Sequence, residues 1–94
     1  MTVYEADLFV GHEAGLHARP AALFTQTAQR FRSEVTVAHN DQTANAKSIL
    51  SILALGVSQG ATVHVRTEGP DAAETLEALR QLVANNFEKQ GDGA

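Results

Sequence analysis

The sequence predicts an α+β fold in which one mostly antiparallel β-sheet carries helices on one of its faces. Two observations support this prediction. Stretches with a hydrophobic period of two alternate with stretches of helical period, and a hairpin turn joins two strands near the middle of the 94 residues. Helices follow strands, but the hairpin indicates antiparallel pairing, so we expect a two-layer sandwich with the order β-α-β-β-α-β-α.

The first strand and the first helix are predicted from their different periods. Residues alternate roughly between Val3 and Val10, with one face formed by Tyr4, Ala6, Leu8 and Val10. Residues 11–15 contain two glycines and are expected to form a loop. From Ala18 the spacing changes to three or four, which places four residues on one helix face: Ala21, Phe24, Ala28 and Phe31. Pro20 suits the first turn, where backbone N–H groups have no helical acceptor.

The central hairpin is predicted from alternation and from turn chemistry. Residues 33–39 alternate cleanly, with two apolar side chains pointing inward, Val35 and Val37. Asn40 and Asp41 tolerate the backbone conformations of tight hairpin turns. We therefore expect a short return strand over residues 42–46.

The second half of the chain contains a short helix, a strand and a longer helix in the prediction. Ser48 precedes an apolar run as an N-cap would, and Gly56 is placed to end that helix. Residues 61–67 alternate as a strand. Pro70 is expected at the first position of the last helix, whose buried stripe is Ala72, Leu76, Leu79, Val83 and Phe87. The open sheet face should be small or polar, at Thr36, Ala38, Thr62, His64 and Arg66.

Composition and charge exclude several classes of function. Seven basic residues stand against eleven acidic ones, so most of the surface would repel a nucleic acid backbone. The chain has no cysteine, and its longest apolar run is too short for the roughly 20 residues that span a bilayer. The first ten residues lack the basic and apolar regions of a signal peptide. We expect a cytoplasmic protein with no cofactor, one domain over residues 1–88 and a flexible tail over residues 89–94.

The stretch HEAGLHARPAAL, residues 12–23, places a histidine where a helix is predicted to begin. If His17 is the N-cap, the N–H groups of Ala18 and Arg19 have no helical acceptor, and the helix dipole adds positive charge there. Together with the Arg19 guanidinium, these groups would bind an anion such as a phosphoryl group. A neutral imidazole attacks phosphorus and also leaves readily, so this arrangement suits phosphoryl transfer.

Other interpretations of His17 remain open from the residues alone. A histidine near a helix start is commonly a capping or surface residue. A metal site shared with His12 lacks the i, i+4 spacing and a visible third ligand. A Ser-His-Asp hydrolase would need a nucleophile elbow, which is not visible. His39 and His64 fall in strand patterns and are expected to be ordinary exposed residues.

Two separate blocks of the sequence resemble the signatures of one known family. The stretch GLHARPAA, residues 15–22, resembles the phosphohistidine motif of the histidine-containing phosphocarrier family HPr, from the bacterial sugar phosphotransferase system. The stretch ANAKSILSILALGVSQGATV, residues 44–63, resembles the second motif of that family, around a serine. The stretch VHVRTEGPDAAETLEALRQLV follows the same pattern. The resemblance covers residues 3–87 in one register, and two motifs in this order are specific.

The resemblance implies both a fold and a function. The implied fold is an open-faced β-sandwich, with a four-stranded antiparallel sheet and three helices on one face. Enzyme I, itself phosphorylated by phosphoenolpyruvate, would pass a phosphoryl group to Nδ1 of His17, and the group would then move to a sugar-specific IIA domain. Arg19 and the backbone N–H of Ala18 would hold the phosphoryl group. The chain would then be a stoichiometric carrier and not an enzyme.

Ser48 matches the serine that an ATP-dependent kinase phosphorylates in many Gram-positive members of the family. The residue is also a sensible N-cap whether or not it is modified. A phosphate at Ser48 would add a charge of about −2 and weaken the docking of acidic partners. A regulatory phosphoprotein, acting through Ser48 or belonging to the nitrogen-related branch of the family, is the alternative to a carrier for sugar uptake.

The resemblance also indicates where partners would dock. The second helix would lie beside His17 and present an apolar patch formed by Leu23, Ile49 and Leu50, with either Ile49 or Leu50 turned into the core. The surrounding polar residues would be Arg19, Gln26, Gln29 and Lys47. We expect a monomer whose partners are enzyme I, IIA domains and, where Ser48 is modified, a serine kinase/phosphorylase.

Overall fold

The structure, a computed structural model, describes residues 2–88. Its elements are β1 (Val3–Phe9), α1 (Ala18–Gln29), β2 (Glu34–His39), β3 (Gln42–Asn45), α2 (Ile49–Ala54), β4 (Thr62–Glu68) and α3 (Ala72–Ala84). This is the predicted order. Within residues 2–88, no helix combines the length and the apolar character needed to cross a bilayer. The tail prediction for residues 89–94 falls outside the described residues.

The four strands form a single antiparallel sheet in the order β1-β4-β2-β3. His64 on β4 lies opposite Asp7 on β1 and opposite Ala38 on β2, so β4 is central. Helix α3 packs against β1 and β4, α2 contacts β3, and α1 contacts both other helices. The helices cover one face of the sheet and leave the other face open. The predicted α+β open-faced sandwich is therefore confirmed.

The core lies between the sheet and the helices. On each strand, every second side chain points into it. The inward residues of the strands are almost fully buried, at Leu8, Val35, Val37, Val63 and Val65. Phe24 and Leu79 meet them from α1 and α3. Burying each such side chain contributes about 1.5–3 kcal/mol relative to exposure. Tyr4 belongs to the same face of β1 but remains 44% exposed, because it lies near the end of an edge strand.

The hairpin between β2 and β3 has the predicted turn. His39 pairs with Gln42, and the two residues between them, Asn40 and Asp41, have φ angles of 50° and 65°. Two consecutive left-handed residues define the tight turn whose twist matches that of antiparallel strands. The side chains of Asn and Asp make this conformation accessible, so the turn follows directly from the sequence.

The predicted start of the last helix is wrong by two residues. Helix α3 begins at Ala72 with Asp71 as the N-cap residue, so Pro70 lies outside the helix. The Asp71 side chain does not cap α3; it accepts hydrogen bonds from the backbone N–H groups of Arg32 and Ser33 at 3.0 and 2.9 Å. These bonds hold Asp71 outside the helix. They also tie the start of α3 to the start of β2.

Candidate functional site

His17 lies at the junction between a loop and helix α1. It is the N-cap residue, with extended dihedral angles (φ −129°, ψ 166°), and its side chain is half-buried. The preceding residue, Leu16, is fully buried, and its N–H donates to the carbonyl oxygen of Val57 at 3.0 Å. The His17 side chain makes no capping hydrogen bond. His17 is therefore the N-cap residue by its backbone position, as predicted, but its side chain does not cap the helix.

Gly15 allows the loop to approach the end of α2 closely. Its φ is +64°, and a Cβ atom at this position would lie 2.2 Å from the carbonyl oxygen of Val57. Both the left-handed backbone and the missing side chain are therefore required here. Gly15 acts by letting Leu16 pair with Val57, which sets the position of His17 immediately after it.

Ala18 has an unusual backbone for a residue with a side chain. Its φ is +52°, outside the helical range, although α1 begins at Ala18 by its hydrogen bonding. A left-handed residue other than glycine costs about 1–2 kcal/mol. Such conformations concentrate at functional sites, where the surrounding structure holds them. The peptide that follows His17 is thus held in a conformation that an isolated chain would avoid.

The N-terminus of α1 has the properties of an anion site. The N–H groups of its first turn have no helical acceptor, and the helix dipole places partial positive charge beside His17. Ala18 and Arg19 are exposed, whereas Pro20 and Ala21 are buried. The burial of Pro20 and Ala21 anchors the first turn. An anion bound at this end would meet the backbone amides of the first turn, beside the exposed Arg19.

His12 has a structural role that the sequence did not reveal. Its Nδ1 accepts a hydrogen bond from the N–H of Ala14 at 3.0 Å. Its ring meets Phe87 edge-on, with the ring centroids 5.9 Å apart. His12 therefore shapes the loop that leads to His17. Within residues 2–88, no three histidine or acidic side chains are grouped so that they could hold a metal ion.

Helices α1 and α2 run in opposite directions. Val57, just beyond the end of α2, contacts Leu16 at the start of α1. At the other end, the carbonyl oxygen of Lys47 accepts from Gln29 Nε2 at 3.0 Å, and Lys47 Nζ donates to the carbonyl oxygen of Phe31 at 2.7 Å. The start of α2 is therefore anchored at the end of α1, about three turns from His17. The Lys47 ammonium is committed to this anchor.

Ser48 is the N-cap of α2, as predicted. Its Oγ accepts a hydrogen bond from the N–H of Ser51 at 3.3 Å, and its carbonyl oxygen accepts from the N–H of Ile52 at 3.1 Å. Its own N–H donates to the carbonyl oxygen of Asn45 at 3.0 Å. The residue is half-buried. Ser48 thus fixes the start of α2, independently of any modification.

The predicted docking patch is partly different in the structure. Ile49 and Leu50 are both exposed, at 39% and 76%, so the expectation that one of them turns into the core is wrong. The first turn of α2 faces outward because Ile52 is the residue of this helix that fills the core. Leu23 is half-buried and packs against the core. The three residues therefore differ widely in exposure.

His64 is not the ordinary exposed residue that the strand pattern predicted. Its Nε2 contacts Glu5 Oε1 at 2.5 Å and its Nδ1 contacts Asp7 Oδ1 at 2.8 Å. The hydrogen bond to Glu5, and then that to Asp7, raises the pKa of the imidazole above 6.5. Both ring nitrogens can donate at once only when the ring is protonated. The contacts of His64 with Glu5 and Asp7 depend on the pairing of β1 with β4, which cannot be predicted from spacing along the sequence.

Known proteins with related sequences and structures carry the same fold. The family model described as the PTS HPr component phosphorylation site matches residues 4–85. The phosphocarrier protein HPr of Neisseria meningitidis is 42% identical over 76 residues, which cover 81% of this chain and 85% of that protein.

Two solved structures from Thermoanaerobacter tengcongensis are also similar. A crystal structure of HPr-C-His matches with a TM-score of 0.89 and 44% identity, over 93% of this chain and 98% of that one. A crystal structure of an HPr dimer matches with a TM-score of 0.74 and 49% identity, over 80% of this chain and 86% of that one. Since the family model spans most of the chain and the identities exceed 40%, the chain belongs to the HPr phosphocarrier family of the phosphotransferase system.

Proposed function

We propose that this protein is a phosphocarrier of the phosphoenolpyruvate-dependent sugar phosphotransferase system. His17 would accept a phosphoryl group from enzyme I and pass it to IIA domains. The observation that carries this proposal is the position of His17 at the N-terminus of α1, directly before the exposed Ala18 and Arg19. The proposal also includes a cytoplasmic location and action as a monomer.

Both steps of this transfer take place at one atom, Nδ1 of His17. The lone pair of Nδ1 on neutral His17 forms a bond to phosphorus as the bond between phosphorus and the donor breaks. The helix N-terminus and the Arg19 guanidinium offset the negative charge of the group. The reverse steps release it to a IIA domain, because imidazole is a good leaving group.

Transfer from phosphoenolpyruvate through purified enzyme I tests this proposal. The wild-type chain should take up one acid-labile phosphoryl group, and His17→Ala should take up none. His39→Ala is the matched control, since it removes a histidine from β2 and should leave uptake unchanged. Uptake by His17→Ala at the wild-type level would show that the site is elsewhere.

The apolar side chains around α2 are proposed as part of the surface that meets both partners. Leu50 is 76% exposed, which is unusual for leucine and leaves a large side chain available for contact. Leu23 and Ile49 would extend the patch. Leu50→Asn should raise the KM of phosphorylated enzyme I for this chain, without lowering the thermal stability of the chain. Phe9→Asn, an exposed apolar residue on β1, is the control.

Regulation through Ser48 is a second candidate function, favoured by its place at the start of α2. A phosphate there would accept from the helix amides and add negative charge to the partner surface. ATP-dependent labelling by a serine kinase, abolished in Ser48→Ala, would support this function. The nitrogen-related branch is distinguished by which enzyme I and which IIA domain accept the protein.

A further inference from the structure

Strand β1 is an edge of the sheet and presents unpaired backbone groups. Within residues 2–88, β1 pairs on one side only, with β4. The carbonyl oxygen of Thr2 accepts from Gly69, and the N–H of Val10 donates to Ala61, so these two residues turn their backbone groups toward β4. Residues of an antiparallel strand alternate in this respect. The outward N–H and C=O groups are therefore those of Val3, Glu5, Asp7 and Phe9.

A groove lies beside this edge, where another strand would be placed. The groove has a volume of about 710 Å³. One wall is the second half of β1 with Gly11, and the other is the last part of α3, at Arg80, Val83 and Ala84. A further strand would run about 4.8 Å from β1. One of its faces would then lie over α3, and the other would continue the open face of the sheet.

Exposed apolar side chains concentrate on the same strand. Among residues 2–88, five large apolar side chains are exposed, and three of them are on β1: Val3, Tyr4 and Phe9. Phe9 is 63% exposed. Edge strands of soluble proteins are usually protected by short length, by proline or by charged side chains, above all lysine. Strand β1 has seven residues and neither proline nor lysine, and its only charged residues are the acidic Glu5 and Asp7. The strand is thus suited to pairing with another chain.

The charges on β1 determine what kind of chain it accepts. On the open face of the sheet, β1 carries two acidic side chains, Glu5 and Asp7, between two apolar ones, Val3 and Phe9. His64 contacts one oxygen of each carboxylate, and the neighbouring Arg66 guanidinium pairs with Glu68. The three carboxylates of this cluster outnumber its basic groups, so its net charge is negative whether or not the imidazole is protonated. A complementary strand would place basic side chains opposite the acids and apolar ones opposite the ends.

A second copy of this chain does not meet these requirements. Antiparallel pairing of β1 with itself, centred on Ala6, would place Glu5 opposite Asp7 twice. Centring it on Glu5 or on Asp7 would place that carboxylate opposite its own copy. Like charges directly opposite each other destabilise a pair of strands. In every antiparallel register that pairs five or more residues of β1, the charge pattern therefore favours a basic partner over self-association.

We propose that the free edge of β1 binds an extended segment of a partner protein, in which two basic residues at alternate positions are flanked by apolar residues, by adding it as a fifth strand. The backbone hydrogen bonds would supply the register, and Glu5 and Asp7 would supply the selectivity. This site is separate from phosphoryl transfer at His17 and does not depend on it.

A synthetic peptide, acetyl-Val-Thr-Lys-Thr-Lys-Thr-Val-amide, is the probe for this site. On titration into the full-length ¹⁵N-labelled protein, hydrogen exchange should slow at the amides of Val3, Glu5, Asp7 and Phe9. The amides of the alternate residues, which already bond to β4, should change less. A control peptide carries N-methyl groups on every second backbone nitrogen, at the positions that would face β1. It keeps all its side chains but cannot donate hydrogen bonds to β1, and it should not bind.

Two matched double variants test the role of charge. Glu5→Gln with Asp7→Asn should weaken binding by about 2- to 30-fold, the effect of losing two opposite-charge pairs. Glu34→Gln with Glu68→Gln removes the same charge from inner strands of the sheet and should leave binding unchanged. Thermal unfolding of both variants checks that the fold is retained.

Several results would overturn the proposal. These are no binding at millimolar peptide, equal binding of the methylated peptide, equal weakening in both double variants, or protection at α1 and α2 instead of β1. Concentration-dependent dimerisation that slows exchange at the outward amides of β1 would assign the edge to a second copy of the chain and would also overturn it.

Discussion

Single residues at the start of α1 have backbone conformations that decide where His17 lies. Gly15 and Gly56 have nearly the same φ, +64° and +66°, but different surroundings. A Cβ at Gly15 would collide with the carbonyl oxygen of Val57, whereas a Cβ at Gly56 would meet no atom within 4 Å. Comparison of the two positions therefore distinguishes two free-energy costs of adding a side chain: that of a left-handed backbone, present at both, and that of a steric clash, present only at Gly15.

Substitution of each glycine by alanine should measure the two costs. Gly56→Ala should lower the free energy of unfolding by about 1–2 kcal/mol, the cost of a left-handed alanine. Gly15→Ala should lower it further, because the carbonyl group of Val57 must move. Gly15→Ala should also slow phosphoryl uptake at His17, since Leu16 loses its anchor. Urea unfolding and the transfer assay give both values; equal losses in the two variants would contradict this account.

At the scale of elements, one carboxylate joins two segments that are distant in the sequence. Asp71 accepts from the backbone N–H groups of Arg32 and Ser33, and from Ser33 Oγ at 2.6 Å. Ser33 Oγ in turn accepts from the N–H of Asp71 at 3.1 Å. These hydrogen bonds, first that from the Arg32 backbone, lower the pKa of Asp71 from 3.8 to about 2. They tie the end of the α1–β2 connection to the start of α3.

The Asp71 network should make folding sensitive to acid. Because the pKa is lower in the folded state, the stabilisation is fully present above pH 3.8 and is lost as the pH falls toward about 2. Asp71→Asn should reduce stability at pH 7 and flatten the dependence on pH between 4 and 2. Glu74→Gln, in the first turn of the same helix, is the control. An unchanged acid profile in Asp71→Asn would show that the network contributes nothing.

At the scale of the whole molecule, charges on opposite faces set a range of greatest stability. His64 on the open face joins β4 to β1 through Glu5 and Asp7, and Arg66 beside it pairs with Glu68 at 3.0 Å. Because the pKa of His64 is raised in the folded state, its stabilisation is fully present below pH 6.5 and is lost as the pH rises through the folded pKa. Both this contribution and that of Asp71 are complete between pH 3.8 and 6.5.

Removal of His64 tests the alkaline side of that range. The wild-type protein should lose stability between pH 6 and pH 9, and His64→Gln should lose much less over the same interval. His39→Gln, on β2, provides the comparison. Urea unfolding at pH 6 and pH 9 supplies the measurement, and an identical dependence on pH in wild type and His64→Gln would refute the assignment. The effect should be modest, since the exposed pair is screened by solvent.

Local patterns were enough to predict most of the fold. The period-two alternation of apolar residues located β1, β2 and β4, and the Asn40–Asp41 turn located the hairpin and its return strand β3, because each depends on neighbouring residues alone. The start of α3 could not be predicted, since Asp71 is held by Arg32 and Ser33, nearly 40 positions earlier. The prediction that Ile49 or Leu50 turns into the core was wrong for a similar reason. Which face of α2 is buried depends on how this helix packs against α1 and β3.

The sequence by itself determined the fold class, the N-cap positions of His17 and Ser48, and the two motifs that assign the family. These features are encoded by residue type and spacing along a continuous segment. Only the tertiary structure decided that Ala18 is left-handed, that His64 lies between two carboxylates, and that β1 has a free edge beside a groove. These features depend on which distant segments meet, and local periodicity does not contain that information.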